Sequence, residues 1–88
     1  MKYTVIWVGT AENALANIWL TSRDQSAVTS AARAIDTALQ SNPSEVGESR
    51  DFGLRIAFAA PLGILFSVHQ DDMLVKVLRV WRIDPRRI

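Results

Sequence analysis

The spacing of apolar residues changes from helical to strand-like in mid-chain, and that change limits the fold more than any other feature. Between about residues 11 and 40 they recur every three or four positions, the spacing of helices with one buried face. From Leu54 onward they alternate with polar residues or run continuously, which is the spacing of strands. Helices first and sheet afterwards is the order of an α+β domain rather than of an alternating α/β one. With 88 residues, 49% of them hydrophobic, and no linker-like stretch, the chain has material for one core and one domain, residues 1–88.

The opening residues add one strand ahead of the helices. Tyr3-Thr4-Val5-Ile6-Trp7-Val8 is rich in β-branched and aromatic residues and stops at Gly9. Thr10 then offers a capping hydroxyl, and Glu12 an acid for the first turn, to a helix whose apolar face is Ala11, Ala14, Leu15, Ile18 and Trp19 and which ends near Arg23. A second helix is expected from Asp24 to Gln40, with Val28, Ala31, Ala32, Ile35, Ala38 and Leu39 on one face; Asn42-Pro43 ends it. Ser44 to Arg50 reads as an exposed loop. Leu54 to Ala59 and Leu62 to His69 read as strands joined at Ala60-Pro61, and Met73 to Ile83 as a long last strand after a turn at Gln70-Asp71-Asp72.

The strand from Leu62 is apolar in both alternate sets, so it is expected to be central and covered on both faces. In the last strand, simple alternation puts Val75, Val77, Arg79 and Trp81 on one side and Leu74, Lys76, Leu78, Val80 and Arg82 on the other. The expected architecture is β-α-α-β-β-β, a two-helix hairpin packed on a mainly antiparallel four-stranded sheet.

The formal net charge of +1 conceals an asymmetry. Residues 1–49 carry three basic and five acidic side chains, whereas residues 50–88 carry seven basic and four acidic ones. A cation-rich half can steer a polyanion or an acidic partner toward one face. Cysteine is absent, which removes disulfides, thiolate metal sites and a cysteine nucleophile. A lone histidine leaves only carboxylates to ligate a metal, so neither metal nor cofactor is expected. The N-terminal apolar run is broken by Gly9, Thr10 and Glu12 before signal-peptide length, and no stretch approaches the roughly 20 apolar residues of a membrane span. An unexported, cytoplasmic protein without membrane association is expected.

Five stretches in order carry a family resemblance: Tyr3-Thr4-Val5-Ile6-Trp7 before an Ala-rich helix; Ala34-Ile35-Asp36-Thr37-Ala38-Leu39 running into Asn42-Pro43; Gly53-Leu54-Arg55 leading into the sheet; Pro61-Leu62-Gly63-Ile64-Leu65-Phe66-Ser67-Val68; and Val75-Lys76-Val77-Leu78-Arg79-Val80-Trp81-Arg82. Together they resemble the RelE/ParE toxin superfamily over nearly the whole chain. The resemblance implies the toxin of a type II toxin–antitoxin system, of the plasmid-stabilisation kind, and a cognate antitoxin that wraps part of its chain around it. RelE-like toxins are mRNA interferases acting in the ribosome, whereas ParE-like toxins inhibit DNA gyrase without cutting nucleic acid. Growth arrest by ribosome-dependent mRNA cleavage is the first expectation, gyrase inhibition the second, and a decayed toxin that only binds its antitoxin the third. A homodimer or a toxin–antitoxin hetero-oligomer is the expected assembly.

Cleavage of RNA by its own ribose hydroxyl needs a proton acceptor, protection of the leaving oxygen, and cations facing the phosphate. By resemblance, Arg55 and Arg82 are the candidate catalytic residues, and Arg50, Arg79, Arg86 and Arg87 candidates for target or nucleic-acid binding, the last two on a basic tail of residues 83–88. The set is incomplete for an endoribonuclease. An arginine usual in RelE-like enzymes falls on or beside Gly63, and the C-terminal Tyr or His is missing. Histidine is a common acid–base residue, but His69 sits at a turn, far from Arg82. Each arginine has a plainer reading as a paired or solvated surface group, Asp36 as an arginine partner or a solvated helix residue, and Trp7, Trp19 and Trp81 as core or interface anchors.

Overall fold

The structure, a computed structural model, describes residues 2–83. Its elements are β1 (Thr4–Trp7), α1 (Gly9–Thr21), α2 (Gln25–Ser41), β2 (Glu48–Ser49), β3 (Leu54–Ala59), β4 (Leu62–His69) and β5 (Leu74–Arg82), with single 3-10 turns at Pro43–Glu45, Asp51–Gly53 and Gln70–Asp72. The sheet order is β1-β5-β4-β3-β2, parallel between β1 and β5 and antiparallel elsewhere. The architecture is the expected α+β one with a fifth strand added. That strand, Glu48–Ser49, lies in the segment read as a loop; it is polar and pairs only two residues of β3, Ile56 and Arg55, so no periodicity announces it.

The helix pair is closed by local hydrogen bonds. Asp24 caps α2 by accepting from the Ala27 amide at 3.0 Å. Thr10 does not cap α1: the helix begins at Gly9 with Val8 in the cap position and no side-chain cap. Ser22 donates to the Ile18 carbonyl at 2.6 Å, and Gln25 to the Trp19 carbonyl at 3.1 Å, which satisfies the last turn of α1 inside the hairpin. Asn42 and the buried Pro43 end α2, and the Tyr3 amide donates to the Gln40 carbonyl, tying β1 to that helix end.

The core lies between the helices and one face of the sheet. Ala11 of α1 and Val28, Ala31, Ile35 and Leu39 of α2 meet Ala57, Leu62, Ile64, Phe66, Val75, Val77 and Val80. No polar side chain is buried among the described residues. The opposite face of the sheet is covered by no described element, so β4 is central but shielded on one face only. Its second apolar set, Gly63 and Leu65 with Ser67 and His69, faces the open side.

β5 does not alternate evenly. Leu65 pairs with Arg79 but Phe66 pairs with Val77, leaving Leu78 as an extra residue in a β-bulge. The bulge shifts the phase, so Val75, Val77, Val80 and Arg82 lie on the helix side, and Lys76, Arg79 and Trp81 on the open side. The even alternation read from sequence is corrected there. At Gly47, φ is +67° and an added Cβ would fall 2.0 Å from the Ile56 carbonyl oxygen, so this turn admits only glycine. No helix of the described residues is long and apolar enough to cross a membrane.

Leu39 is fully buried under the sheet. Leu39→Ala is expected to lower unfolding free energy by about 2–5 kcal/mol in urea titrations, and a loss below about 1 kcal/mol would contradict the packing described.

Candidate functional site

The sheet face that would have to carry a phosphate site does not hold the two arginines expected on it. Arg55 pairs with Phe66, a core residue, so its Cβ starts on the helix side. Its guanidinium turns toward the β2 lane, where Nε donates to the Val46 carbonyl at 2.9 Å and Nη2 to the Gly47 carbonyl at 3.0 Å. Arg55 therefore pins the chain entering β2. Arg82 pairs with Leu62, also on the helix side, and its Nη2 donates to Thr21 Oγ1 at 2.7 Å at the end of α1. The register places the two Cα atoms about 16 Å apart, four residues along β4 and on opposite sides of it. They do not converge on one site.

Arg50 forms an exposed ion pair with Glu48 at 3.1 Å. Arg79 is exposed on the open face, engages no carboxylate among the described residues, and shares that face with Lys76. Arg86 and Arg87 lie outside the described residues. His69 is exposed at the opposite end of β4 from the Leu62–Arg82 pair, with Nε2 2.9 Å from Ser67 Oγ. Among the described residues no three His, Asp or Glu side chains gather where they could hold a metal.

What the structure does assemble is apolar. Leu15, Ala16, Trp19 and Leu20 of α1 face Val28 and Ala32 of α2 across a groove of about 560 Å³. Trp19 is 39% exposed and Leu20 68%. Leu15, Ala32, Glu12 and Asp36 continue the groove to Val5, Ile6 and Trp7 on the β1 edge. There Asp36 accepts the Trp7 indole N–H at 2.8 Å, so its partner is a tryptophan rather than an arginine. Trp19 spans the helix pair by donating to Thr29 Oγ1 at 3.2 Å. Ile6 lies at the edge where groove and open sheet face meet and is 43% exposed.

The open face continues this character through Leu74, Leu65, Ile56, Leu54, Phe58 and Trp81. Phe58 and Trp81 meet edge to face, with ring centroids 6.3 Å apart. Sequence reading missed Phe58 and Phe52. Phe52 is 96% exposed with φ at +63°, a conformation that a bulky side chain rarely adopts. The one available signal was its place between Asp51 and Gly53, a turn composition unsuited to a core residue.

The sequence matches no protein-family model and no curated protein. Solved structures do match the fold. A chain of the toxin–antitoxin complex RelBE2 from Mycobacterium tuberculosis superposes with a TM-score of 0.72 at 19% identity, covering 93% of this chain and 92% of that one. A chain of the chromosomal ParDE toxin–antitoxin system from P. aeruginosa gives 0.73 at 18% identity, covering 93% and 97%. The chain has the RelE/ParE-like fold.

Arg55→Leu strips both carbonyls of their donors and is expected to cost about 1–3 kcal/mol of stability in chemical denaturation. A change below about 0.5 kcal/mol would mean that Arg55 has no structural task and is available to a ligand.

Proposed function

We propose that this chain is the toxin of a type II toxin–antitoxin pair and that it arrests growth by binding its target rather than by cutting RNA. The fold shared with chains of the RelBE2 and ParDE complexes supports the toxin reading. The observation that carries the second half is the disposition of Arg55 and Arg82. Each is held by a protein acceptor on the helix side, about 16 Å from the other. Transition-state stabilisation of a phosphodiester needs donors converging within hydrogen-bond reach of one phosphate, and a proton acceptor beside it. Gly63 brings no cation to the open face, and His69 stands about 20 Å from it along β4. DNA gyrase is the target that the ParE-like half of the resemblance implies.

The antitoxin is proposed to fill the groove between α1 and α2 and to cross the β1 edge at Ile6. The largely apolar lining from Leu20 to Ile6, with Glu12 and Asp36 where its two parts join, suits an amphipathic segment that continues as an extended chain.

Induced expression in a host lacking the antitoxin is expected to stop growth while 5′-end mapping of ribosome-bound messages shows no codon-phased cuts. Phased cuts that Arg55→Ala or Arg82→Ala abolishes would restore the nuclease reading. Leu20→Asp, which places a charge among the apolar groove residues, is expected to weaken antitoxin capture at least tenfold in calorimetry while growth arrest persists. Unchanged capture would move the antitoxin elsewhere.

A further inference from the structure

The turn between β2 and β3 displays a phenylalanine that the fold leaves in water. Phe52 takes φ +63° and ψ +31°, and Gly53 follows at φ +72°, so two successive residues are left-handed. Glycine accepts that conformation freely, whereas a bulky side chain adopts it at a free-energy cost. Burial of the ring would offset the cost, yet Phe52 is 96% exposed. The turn is nonetheless firmly closed: the Arg50 amide donates to the Leu54 carbonyl at 2.7 Å, and the Leu54 amide to the Asp51 carbonyl. Arg55 holds the Val46 and Gly47 carbonyls on the chain leading into β2. A large apolar ring thus stands outward on a braced turn.

The molecule also carries the complement of such a ring. The groove between α1 and α2, about 560 Å³, is walled by Leu15, Trp19, Leu20 and Val28. A cavity of about 150 Å³ already admits a benzene ring, so the groove takes a phenyl side chain together with part of its turn. The charges match as well. Asp51 stands next to Phe52, and Arg33 lines the groove; neither has an ion-pair partner among the described residues. Within one copy ring and groove do not meet. The sheet order β1-β5-β4-β3-β2 puts the Phe52 turn at one edge, while the groove opens onto the other through Ile6 and Trp7.

We infer that, free of any antitoxin, the groove is filled by a second copy of this chain, whose Phe52 ring enters between Trp19 and Leu20 and whose Asp51 meets Arg33. Knob and groove lie on different patches, so the contact is heterologous: a copy that gives its Phe52 to one neighbour keeps its own groove open to another. The contact repeats head to tail into short chains instead of closing a twofold dimer. One ring and its flanking turn bury well under the roughly 1,000 Å² of a stable interface, so the association is weak and depends on concentration. The antitoxin proposed above addresses the same groove and displaces the second copy. The contact itself needs no toxin activity.

Sedimentation velocity of the full-length chain, from low micromolar to near-millimolar concentration, tests this. The weight-average mass is expected to climb past that of a dimer without a plateau. Phe52→Ser and Leu20→Asp, on opposite sides of the contact, are each expected to weaken association at least tenfold and leave a monomer where the wild type associates. Mixed in equal amounts, the two variants pair through one intact knob and one intact groove, and the mass stops at the dimer. Arg33→Asp and Asp51→Arg each weaken association severalfold, and the chain carrying both recovers it. Phe58→Ser, on the open sheet face, is expected to change nothing, and circular dichroism checks that each variant is folded. A wild type that stays monomeric, a plateau at the dimer, association that survives Phe52→Ser or Leu20→Asp, or a mixture of the two that stays monomeric overturns the inference. Growth arrest enters none of these measurements, so their failure leaves the toxin reading standing.

Discussion

The β-bulge at Leu78 decides what each face of this protein presents. Up to Val77 the last strand alternates as its sequence suggests, with valines inward. One unpaired residue then rotates the remainder, so Val80 completes the core under α1 and Trp81 swings to the open face across Gly63. Arg82 follows onto the helix side, where it reaches Thr21. The driving force is burial: an evenly alternating strand would carry Arg79 into the core and leave Val80 in water. Removing Val80 from water is favourable by about 1.5–3 kcal/mol, and burying an unpaired guanidinium costs several times that.

This is also why the fold was legible in the sequence while the site was not. β3 and β4 were read to their ends, because Leu54 to Ala59 and Leu62 to His69 are apolar runs bounded by Gly53, Pro61 and Gln70. The helices were legible from Leu15, Ile18, Val28, Ile35 and Leu39. Glu48–Ser49 was not, because it is held by main-chain pairing to β3 and by Arg55 on the carbonyls before it, not by burial of its own side chains. The placement of the arginines was not legible for another reason. Strand parity sets where a Cβ points, and one bulge inverts it; Arg55 also folds back on the Val46 and Gly47 carbonyls, which no spacing rule encodes. Gly63 was noticed as a missing arginine, and its packing under Trp81 gives that absence a physical reason.

Two apolar surfaces result, one between the helices and one on the open sheet, meeting at Ile6 on the β1 edge. The core asks only one face of the sheet and one stripe of each helix, so both surfaces are surplus to folding. Leu20 and Phe58, exposed at 68% and 62%, mark where surplus apolar area is concentrated. A partner that follows the groove and turns over the β1 edge would reach both surfaces with one segment.

Which way Trp81 faces decides the register of β5 beyond Val77. Proton NMR of the labelled protein measures it directly through the ring current of the indole. A ring lying flat on Gly63 predicts upfield-shifted Gly63 Hα resonances and cross-peaks from the Trp81 ring to Gly63 and Phe58. Cross-peaks from Trp81 to Ala11 or Ile35 instead, with an unshifted Gly63, would place the indole in the core and contradict the bulge and everything drawn from it.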